Sequence, residues 1–309
     1  MAFPTETVYG LGANALDTSA VARIFAAKQR PSWDPVIVHV AEHSMVERLV
    51  TEVGERARSL MAAFWPGPLT LLLPRSSAVP DAVTAGRRLV GIRMPSHPVA
   101  LELIRRAGVP IAAPSANLFS RTSPTTADHV MEDLDGRIDA VLDSGPTPQG
   151  VESTVLDPDS SPVVIYRPGA ITAEQIARIV GAAELYRPEK PAEEPEGLPS
   201  PGVGMRHYAP RARLVLVEAP EKVAEVAALY GSERLGILWP ADLEARADVK
   251  ATLFPWGRWS APEEMARDLY AGLRELDARG CTVVLCPVPA HEGIGVTIRD
   301  RLEKAARKK

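Results

Sequence analysis

The feature that most constrains the fold of this chain is a segment rich in proline and glutamate, YRPEKPAEEPEGLPSP, at residues 186–201. It holds five of the 29 prolines and four glutamates, and it has no periodic aliphatic residues. Such a composition cannot bury a core and favours an extended, semi-rigid chain. The 309 residues are therefore predicted to form one domain at 1–180, a linker with a docking segment at 181–213 and a second domain at 214–309.

Before the linker, apolar runs of strand length alternate with helical patterns. The helical patterns cover residues 18–28, 45–64, 98–107, 127–134 and 173–180. The strand-like runs, each closed by proline or glycine, are PVIVHV, LTLLLP, VGIRMP, VPIAAP, AVLDSG, STVLD and VVIYRP. This alternation predicts a three-layer α/β domain with a twisted mixed sheet.

After the linker, strands and helices alternate more regularly. The runs LVLVE, LGILWP and CTVVLCPV favour strands, and helical patterns lie at residues 222–230, 262–279 and 296–307. Strands that alternate with helices in this way are typical of parallel sheets. The second domain is therefore predicted to be a small Rossmann-like parallel α/β domain.

Composition and charge exclude several classes of protein. The net charge is −4, and residues 1–180 carry 16 Lys and Arg against 19 Asp and Glu, so no basic field indicates nucleic-acid binding. No apolar run approaches the roughly 18–20 residues of a membrane span. The start, MAFPTETVYG, lacks the basic and apolar regions of a secretory signal. Two cysteines, Cys281 and Cys286, are too few for a disulfide framework, which favours a cytoplasmic protein.

A first group of candidate functional residues comprises PTETVYGLG at residues 4–12 and the end of the helix that follows. Lys28 and Arg30 stand two residues apart at the exit of this helix and could converge on one anionic group. The alternative is a solvated helix C-terminus, where the helix dipole favours cations in any case. The residue types alone leave both interpretations open.

A second group, APSANLFSRTSPTTA at residues 113–127, follows a predicted strand and precedes a predicted helix. Ligands of open α/β sheets bind at such strand ends, and helix N-termini attract phosphate. The hydroxyl and amide side chains of this segment are equally suited to capping and turns. A ligand site and a structural turn therefore both remain possible here.

Two arginines and a serine stand at the ends of apolar strands. Arg93 lies in VGIRMP and Arg167 in VVIYRP, and a buried arginine needs a carboxylate or a ligand anion as its partner. Ser153 begins the run STVLD, so these strands suggest a cationic cleft lined by hydroxyl groups. The sequence has no Walker lysine motif, no Gly-x-Ser-x-Gly elbow and no cysteine–histidine spacing of a zinc site.

Seven motifs of the chain resemble, in the same order, those of threonylcarbamoyl-AMP synthases of the YrdC-like family. The motifs read PTETVYGLG, KQRP with DPVIVHV, WPGPLTLLLP, GIRMPSHP, PSANLFSRTSPT, ESTVLD and YRPGAI, and the match runs over essentially all of residues 2–180. The later segments PGVGMRHYAP, YAGLRELDARGC and EGIGVTIRDRLEKAA are similar to segments of the longer, two-domain members.

The resemblance implies a YrdC-like catalytic domain that makes threonylcarbamoyl-AMP from L-threonine, bicarbonate and ATP, with release of pyrophosphate. Mg2+ is expected to accompany the triphosphate. The product is expected to serve a downstream tRNA threonylcarbamoyl transferase acting on tRNAs that read codons starting with A, with at most a weak contact to tRNA and none to membranes. Such chemistry needs cations for carboxylates and phosphates more than it needs a protein nucleophile.

The resemblance also implies roles for individual residues. Those that match threonine contacts are Thr7, His39, Arg93, Ser153 and the main chain around Ala113. Those that match ATP contacts are Arg30, Asp34, Ser115, Ser123, Arg167 and Tyr208. The set expected around the reacting carbamate and phosphate is Lys28, Arg30, Ser115 and Asn117. Tyr208 matches a linker tyrosine that reaches back to the nucleotide, so the resemblance implies that the linker acts as a lid.

Three departures from the family pattern accompany this interpretation. The chain begins at the first motif, so part of an N-terminal strand present in relatives is expected to be missing. Leu89 stands where relatives often carry a threonine that contacts ATP, so this contact is expected to be lost, and Asp34 stands where relatives often carry asparagine.

Two alternative functions remain open. One alternative is a module that binds double-stranded RNA or tRNA without turnover. The other is a carbamoyl-transfer domain of hydrogenase maturation, whose usual zinc-finger modules need cysteine pairs that this sequence lacks.

Overall fold

The computed structural model describes residues 1–187, 207–244 and 249–307, so most of the predicted linker, residues 188–206, lies outside the described residues. An eight-stranded sheet forms before the linker and a four-stranded sheet after it, and a pair of two-residue strands adds a third small sheet. None of the helices in the described ranges combines the length and apolar character that crossing a membrane requires.

The N-terminal domain is built on a mixed sheet. Its strands are β1 (Ala2–Phe3), β2 (Gly10–Leu11), β3 (Ala13–Asn14), β4 (Val38–His39), β5 (Leu69–Pro74), β6 (Leu89–Arg93), β7 (Ile111–Ala112), β8 (Thr154–Asp157), β9 (Val163–Arg167) and β10 (Ala183–Leu185). Its helices are α1 (Thr18–Lys28), α2 (His43–Leu49), α3 (Glu55–Phe64), α4 (Asp81–Thr84), α5 (Pro98–Ala107), α6 (Ala127–Leu134) and α7 (Ala173–Val180). The large sheet has the order β10-β9-β8-β5-β6-β4-β7-β3, which confirms the predicted mixed α/β class.

This sheet contains both parallel and antiparallel pairs of strands. β10–β9, β8–β5 and β6–β4 are parallel, whereas β9–β8, β5–β6, β4–β7 and β7–β3 are antiparallel. The parallel register of β4 with β6 sets His39 beside Arg93. Because both residues end their strands, their side chains reach the same edge of the sheet.

Helix α1 begins and ends as its sequence predicts. The side chain of Asp17 accepts hydrogen bonds from the backbone amides of Ser19 and Ala20, which are otherwise unpaired at a helix N-terminus. Gln29, at φ 52°, takes the left-handed conformation that ends the helix. The chain therefore turns between Lys28 and Arg30.

Two predictions about this domain were wrong. The helix expected over residues 45–64 is two helices, because the chain at Val50 is extended and bridges to Arg75, and Gly54 starts the second helix. The run AVLDSG forms no strand beyond an isolated bridge between Ala2 and Val141. Its Asp-Ser-Gly end makes a turn instead, in which the Asp143 carboxylate accepts a hydrogen bond from the amide two residues later.

The first residues of the chain form a strand of their own. β1 pairs antiparallel with β2, and Ala2 and Phe3 are fully buried. Gly12 lies directly against this strand, since a Cβ at this position would stand 2.7 Å from the Phe3 ring and 2.8 Å from Ile111. The residues of the first motif therefore pack against β1, and Gly12 permits this close approach because it has no side chain.

The C-terminal domain is a parallel sheet with helices. Its elements are β11 (Arg213–Val217), a 3-10 turn (Pro220–Lys222), α8 (Val223–Ala228), β12 (Leu235–Trp239), β13 (Thr252–Pro255), α9 (Pro262–Ala278), β14 (Val283–Pro287) and α10 (Ile294–Ala306). All pairs in the order β11-β14-β12-β13 are parallel, which confirms the predicted architecture. Edge strand β13 was not predicted, because its short run is only partly buried. Strand β10 was not predicted either, because it lies within the range assigned to the linker.

The two domains share an apolar core. Val8 and Val151 of the N-terminal domain and Tyr208 pack with residues of α9 and α10, including Tyr270 and Ile298. At Gly150, φ is 71° and a Cβ would lie 2.2 Å from the carbonyl oxygen of Arg267 on α9. Helix α9 can approach this loop so closely only because residue 150 lacks a side chain.

Candidate active site

A small cavity of about 50 Å3 lies where several strands of the large sheet end. His39 ends β4, Arg93 ends β6 and Arg167 ends β9, while Ser153 directly precedes β8. The predicted site residues that line the cavity are Thr7, Arg30, His39, Arg93, Ala113, Ser115, Ser153, Arg167 and Tyr208. The other predicted residues, Lys28, Asp34, Asn117 and Ser123, are buried around it without lining it.

Arg93 and Thr7 form one wall of the cavity. Arg93 Nη1 donates to Thr7 Oγ1 at 3.0 Å, and its Nη2 lies 2.7 Å from Oε1 of the buried Glu6. His39 stands beside Arg93, and burial together with this arginine lowers the pKa of His39 to about 3. The imidazole is therefore neutral, so Arg93 supplies the positive charge of this wall.

Lys28 fastens helix α1 to the loop after β7. Its Nζ donates to the carbonyl oxygens of Ser115 at 2.6 Å and Asn117 at 2.5 Å, and only 1% of the residue is exposed. Burial lowers the pKa of this lysine well below its ordinary value. Ser115 Oγ donates in turn to Asn117 Oδ1 at 2.5 Å. Lys28 is therefore a buried anchor and not part of a solvated helix end.

Arg30 and Asp34 form a second buried pair next to the cavity. Arg30 Nη2 lies 2.9 Å from Asp34 Oδ2, and its guanidinium also donates to the carbonyl oxygens of Asp34 and Pro35. Burial raises the pKa of Asp34, and Arg30 opposes this effect. Asp34 thus reaches the cavity only through Arg30, which lines it.

Arg167 holds Ser153, the residue that directly precedes β8. Its Nε donates to the carbonyl oxygen of Ser153 and its Nη2 to the hydroxyl of the same residue, both at 3.0 Å. The Ser153 hydroxyl also bonds with Thr70 Oγ1 at 2.8 Å. This network fixes the serine against the cavity wall, because three polar atoms surround its hydroxyl and carbonyl groups.

Glu152 and His207 also line the cavity, and sequence reasoning did not single them out. Glu152 accepts hydrogen bonds from Ser123 at 2.6 Å and from Arg301 Nε at 2.7 Å. Burial disfavours the charge on Glu152, but Arg301 and then Arg167 outweigh it and lower its pKa to about 2. A signal existed in the sequence: Glu152 lies between Val151 and the strand-like run STVLD, and a carboxylate buried beside a strand needs a partner.

The segment after the linker covers the cavity. Tyr208 is 1% exposed, and neither its hydroxyl nor either ring nitrogen of His207 has a hydrogen-bond partner among the residues that the structure describes. Burial and then Arg30 lower the pKa of His207 well below its ordinary value. Neutral polar groups that are buried without partners at a cavity wall are available to a ligand.

The chemistry that this arrangement allows follows from its charges. Three buried arginines, Arg30, Arg93 and Arg167, converge on a cavity whose other polar atoms are mostly hydroxyl and backbone groups. Among residues 1–187, 207–244 and 249–307, no three His, Cys, Asp or Glu side chains are grouped as metal ligands. The site can therefore bind and orient carboxylate and phosphate groups through its own cations.

Comparison with known proteins identifies two family domains. The family described as Telomere recombination (Sua5, YciO and YrdC) matches residues 1–169, and the C-terminal domain of threonylcarbamoyl-AMP synthase matches residues 171–307. The chain is 42% identical to threonylcarbamoyl-AMP synthase of Pyrococcus abyssi, over 99% of this chain and 90% of the relative. The relative from Bacillus subtilis is 46% identical over 99% of this chain and 89% of its own length.

Solved structures agree with this assignment. The crystal structure of P. abyssi Sua5 complexed with L-threonine superposes with a TM-score of 0.91 at 42% identity, covering 99% of this chain and 89% of that chain. A variant of the same protein, with a histidine and a tyrosine changed to alanine, gives a TM-score of 0.89 at 40% identity, with coverage of 99% and 88%. Both family domains and these full-length relatives show that the chain belongs to the threonylcarbamoyl-AMP synthase family of nucleotidyltransferase enzymes.

Proposed function

We propose that this enzyme makes L-threonylcarbamoyl-AMP from L-threonine, bicarbonate and ATP and releases pyrophosphate. The observation that carries the proposal is the convergence of Arg30, Arg93 and Arg167 on one small cavity. Threonine carries a carboxylate, ATP carries phosphates and bicarbonate is itself an oxyanion, and arginines bind such groups with paired hydrogen bonds. The P. abyssi relative complexed with L-threonine supports threonine as the amino acid.

The threonine is bound by the wall that Arg93 forms. Arg93 pairs with the threonine carboxylate, while Thr7, His39, Ser153 and the main chain at Ala113 surround the rest of the molecule. Arg93 already donates to Thr7 and faces Glu6, so its guanidinium is held in place before the ligand arrives. A prepositioned guanidinium loses little side-chain entropy on binding.

The reaction itself needs no covalent bond to the protein. The threonine amine combines with bicarbonate to give a carbamate and water, and a carbamate oxygen attacks the α-phosphate of ATP in line while pyrophosphate leaves. Arg30 and Ser115, which line the cavity, stabilise the charge that develops at the phosphate. Lys28 and Asn117 complete the set from behind the wall, because Lys28 donates to the carbonyl oxygens of Ser115 and Asn117 and so holds the loop that presents Ser115.

ATP is bound by Arg30, Asp34, Ser115, Ser123, Arg167 and Tyr208, and it brings Mg2+ with it. This ion neutralises charge on the triphosphate, and it is usually held by one or two carboxylates together with phosphates and not by a full protein cage. Asp34 is paired with Arg30 and does not line the cavity, so the ion would be held mainly by the phosphates of ATP. A cavity of about 50 Å3 has room for only a few water molecules, so His207 and Tyr208 must move aside as a lid when ATP enters.

The product is passed to a tRNA threonylcarbamoyl transferase that modifies tRNAs reading codons with a first A, in the cytoplasm. Threonylcarbamoyl-AMP is a mixed anhydride, which makes it suited to transfer of its acyl group. Contact of the synthase with tRNA is weak, because residues 1–180 carry a net negative charge.

The proposal is tested by incubating the protein with ATP, Mg2+ and labelled bicarbonate together with single amino acids. Threonine alone should yield a labelled adenylate and an equal amount of pyrophosphate. Equal product from another amino acid, or none from any, would overturn the substrate assignment. Tight, steeply salt-dependent tRNA binding without nucleotide turnover would favour the RNA-binding alternative.

A further inference from the structure

We propose that Arg301 and Tyr270 of the C-terminal domain are positioning residues of the synthase, which hold the cavity residue Glu152 and the ring of Tyr208 in their reactive arrangement. Neither Arg301 nor Tyr270 lines the cavity. They act through Glu152 and Tyr208, which do. This role rests on the proposed function, because part of its test measures turnover of threonine and ATP.

Arg301 is the centre of the contact between α10 and the catalytic domain. The residue is fully buried, its Nε lies 2.7 Å from Glu152 Oε2, and its Nη2 donates to the carbonyl oxygen of Pro168 at 2.8 Å. Its guanidinium carbon stands 5.0 Å from the centre of the Tyr208 ring, a cation–π distance. One side chain of the C-terminal domain thus touches both the wall and the cover of the cavity.

Tyr270 on α9 also contacts both the Glu152 carboxylate and the Tyr208 ring. Its hydroxyl lies 2.9 Å and 3.1 Å from the two carboxylate oxygens of Glu152. Its ring stacks on that of Tyr208, with centroids 5.8 Å apart and an angle of 25° between the planes. Two helices of the C-terminal domain therefore converge on one carboxylate and one ring.

Glu152 transmits this arrangement to the catalytic groups. Ser123, a predicted ATP contact, donates to Glu152, and Ser153, a predicted threonine contact, follows it in the chain. Removing one partner of a buried ion pair leaves an uncompensated charge, which is strongly unfavourable. Without Arg301, Glu152 must therefore take up a proton or move, and either change disturbs Ser123 and Ser153.

A second ion pair between the domains supplies a matched control. Arg274 on α9 is also buried, and it bonds to Glu132 and Asp133 of α6, each at 2.8 Å, and to the carbonyl oxygen of Thr122. Arg274 does not line the cavity and does not contact Glu152. Loss of Arg274 weakens the same domain contact without removing the partner of a cavity carboxylate.

The test compares Arg301→Met with Arg274→Met, and Tyr270→Phe with Tyr230→Phe, in the full chain. Tyr230 serves as the control because it packs against a core of the C-terminal domain alone and does not line the cavity. We expect Arg301→Met to lower kcat at least about tenfold, because small displacements of reacting groups are costly. Tyr270→Phe should lower kcat by about three- to tenfold. Arg274→Met and Tyr230→Phe should stay within about twofold of the wild type at a temperature where all variants are folded.

The pH profile separates positioning from simple destabilisation. Wild-type Glu152 is ionised above about pH 2, and loss of Arg301 raises its pKa, so the acid limb of kcat should move to higher pH in Arg301→Met only. The charged or titratable groups that act on Glu152 are Arg301 on α10, Arg167 on β9, Tyr270 on α9, and His207 with Tyr208. Asp300 and Lys304 of α10 stand beside Arg301, since Asp300 pairs with both Arg301 and Lys304. In a Glu152→Gln background the Arg301 substitution should change kcat less than about threefold, because its partner no longer carries a charge.

Amide hydrogen exchange supplies a measurement that does not depend on activity. Exchange at residues 150–154 should be faster in Arg301→Met than in Arg274→Met. The positioning role is wrong if Arg301→Met loses no more activity than Arg274→Met, keeps the wild-type pH profile and shows the same exchange rates at residues 150–154 as Arg274→Met. If instead the wild type makes no threonine-dependent adenylate, the proposed function fails, while the exchange experiment still decides whether Arg301 orders this segment.

Discussion

Lys28 and Ser115, 87 residues apart in the sequence, are joined by a 2.6 Å hydrogen bond from the buried ammonium group to the backbone carbonyl oxygen. A second bond, of 2.5 Å, reaches the carbonyl oxygen of Asn117. The end of α1 and the loop after β7 are therefore fixed to each other. This bond gives Lys28 a structural role in addition to its proposed place near the reacting groups.

Replacement of this lysine should affect stability as well as activity. Lys28→Met leaves two buried carbonyl oxygens without their donor, so the free energy of unfolding should fall by about 2–4 kcal/mol. Turnover should be lost at the same time. Urea unfolding followed by circular dichroism measures the first effect, and the adenylate assay measures the second. Lys222→Met, which removes a surface ion pair, should leave the unfolding midpoint unchanged. A Lys28→Met protein as stable as the wild type would contradict the anchoring role.

Substitution of Arg93 should act mainly on threonine. Arg93→Met removes the charge proposed to bind the threonine carboxylate, and a charge-assisted hydrogen bond contributes about 1.5–3 kcal/mol, so the KM for threonine should rise by roughly 10- to 100-fold. The KM for ATP should change little, because Arg30 and Arg167 remain. Steady-state kinetics with each substrate varied in turn measures both values, and the exposed Arg58 gives the control Arg58→Met. A rise confined to the KM for ATP would place Arg93 at the nucleotide instead.

The hydroxyl of Tyr208 should destabilise the folded enzyme when no ligand is bound. It is buried without a hydrogen-bond partner among the described residues, so Tyr208→Phe should raise the free energy of unfolding by about 1 kcal/mol. If the hydroxyl contacts ATP, the same variant should bind the nucleotide more weakly. Thermal unfolding and nucleotide titration of the same preparation show both changes. A less stable variant would mean that the hydroxyl has a partner in the free enzyme.

Mild acid should destabilise the protein through His39. Its pKa is about 3 in the folded state, below its ordinary value of 6.5, because burial and Arg93 disfavour the charge. Between pH 3 and pH 6.5 the unfolded chain binds more protons than the folded one. The free energy of unfolding therefore decreases as the pH falls from 6.5, and His39 accounts for at most about 1.4 kcal/mol per pH unit.

The measurement is the slope of the unfolding free energy between pH 5 and pH 6.5, obtained from urea titrations. This window lies above the range in which Glu152, with a pKa of about 2 in place of 4.5, contributes to the pH dependence. His39→Gln should reduce the slope without abolishing it, because burial also lowers the pKa of His207 and that of His129, which then contribute in the same window. The exposed His43 gives a control, His43→Gln, that should leave the slope unchanged. An unchanged slope in His39→Gln would show that other groups cause the acid sensitivity.

The elements that the sequence predicted well are those whose local signals agree. Strands β5 and β14 are continuous apolar runs bounded by proline, and α1 has an aspartate cap and a regular apolar face. The break between α2 and α3 was missed because the amphipathic pattern continues across it. Whether Val50 stays helical depends on Arg75, its bridge partner in a distant part of the chain.

The candidate site was predictable to the extent that buried charges are conspicuous in apolar strands. Arg93 and Arg167 stood out because an arginine cannot be buried without a partner, and the motifs around them named the family. The fact that Thr7, His39 and Ser153 line one cavity follows from the pairing of strands that are far apart in sequence. Strand order is not a local property, so residue types alone could not show it.

The sequence by itself determined the two α/β domains, the mixed and parallel sheets and the family, because hydrophobic periodicity and motif order are written locally along the chain. Only the tertiary structure decided which groups complete the site. Glu152 and Arg301 are 149 residues apart and lie in different domains, yet they form a buried ion pair of 2.7 Å at the cavity wall. A buried charge requires a partner, but the partner is chosen by the packing of the domains, and only the folded chain reveals it.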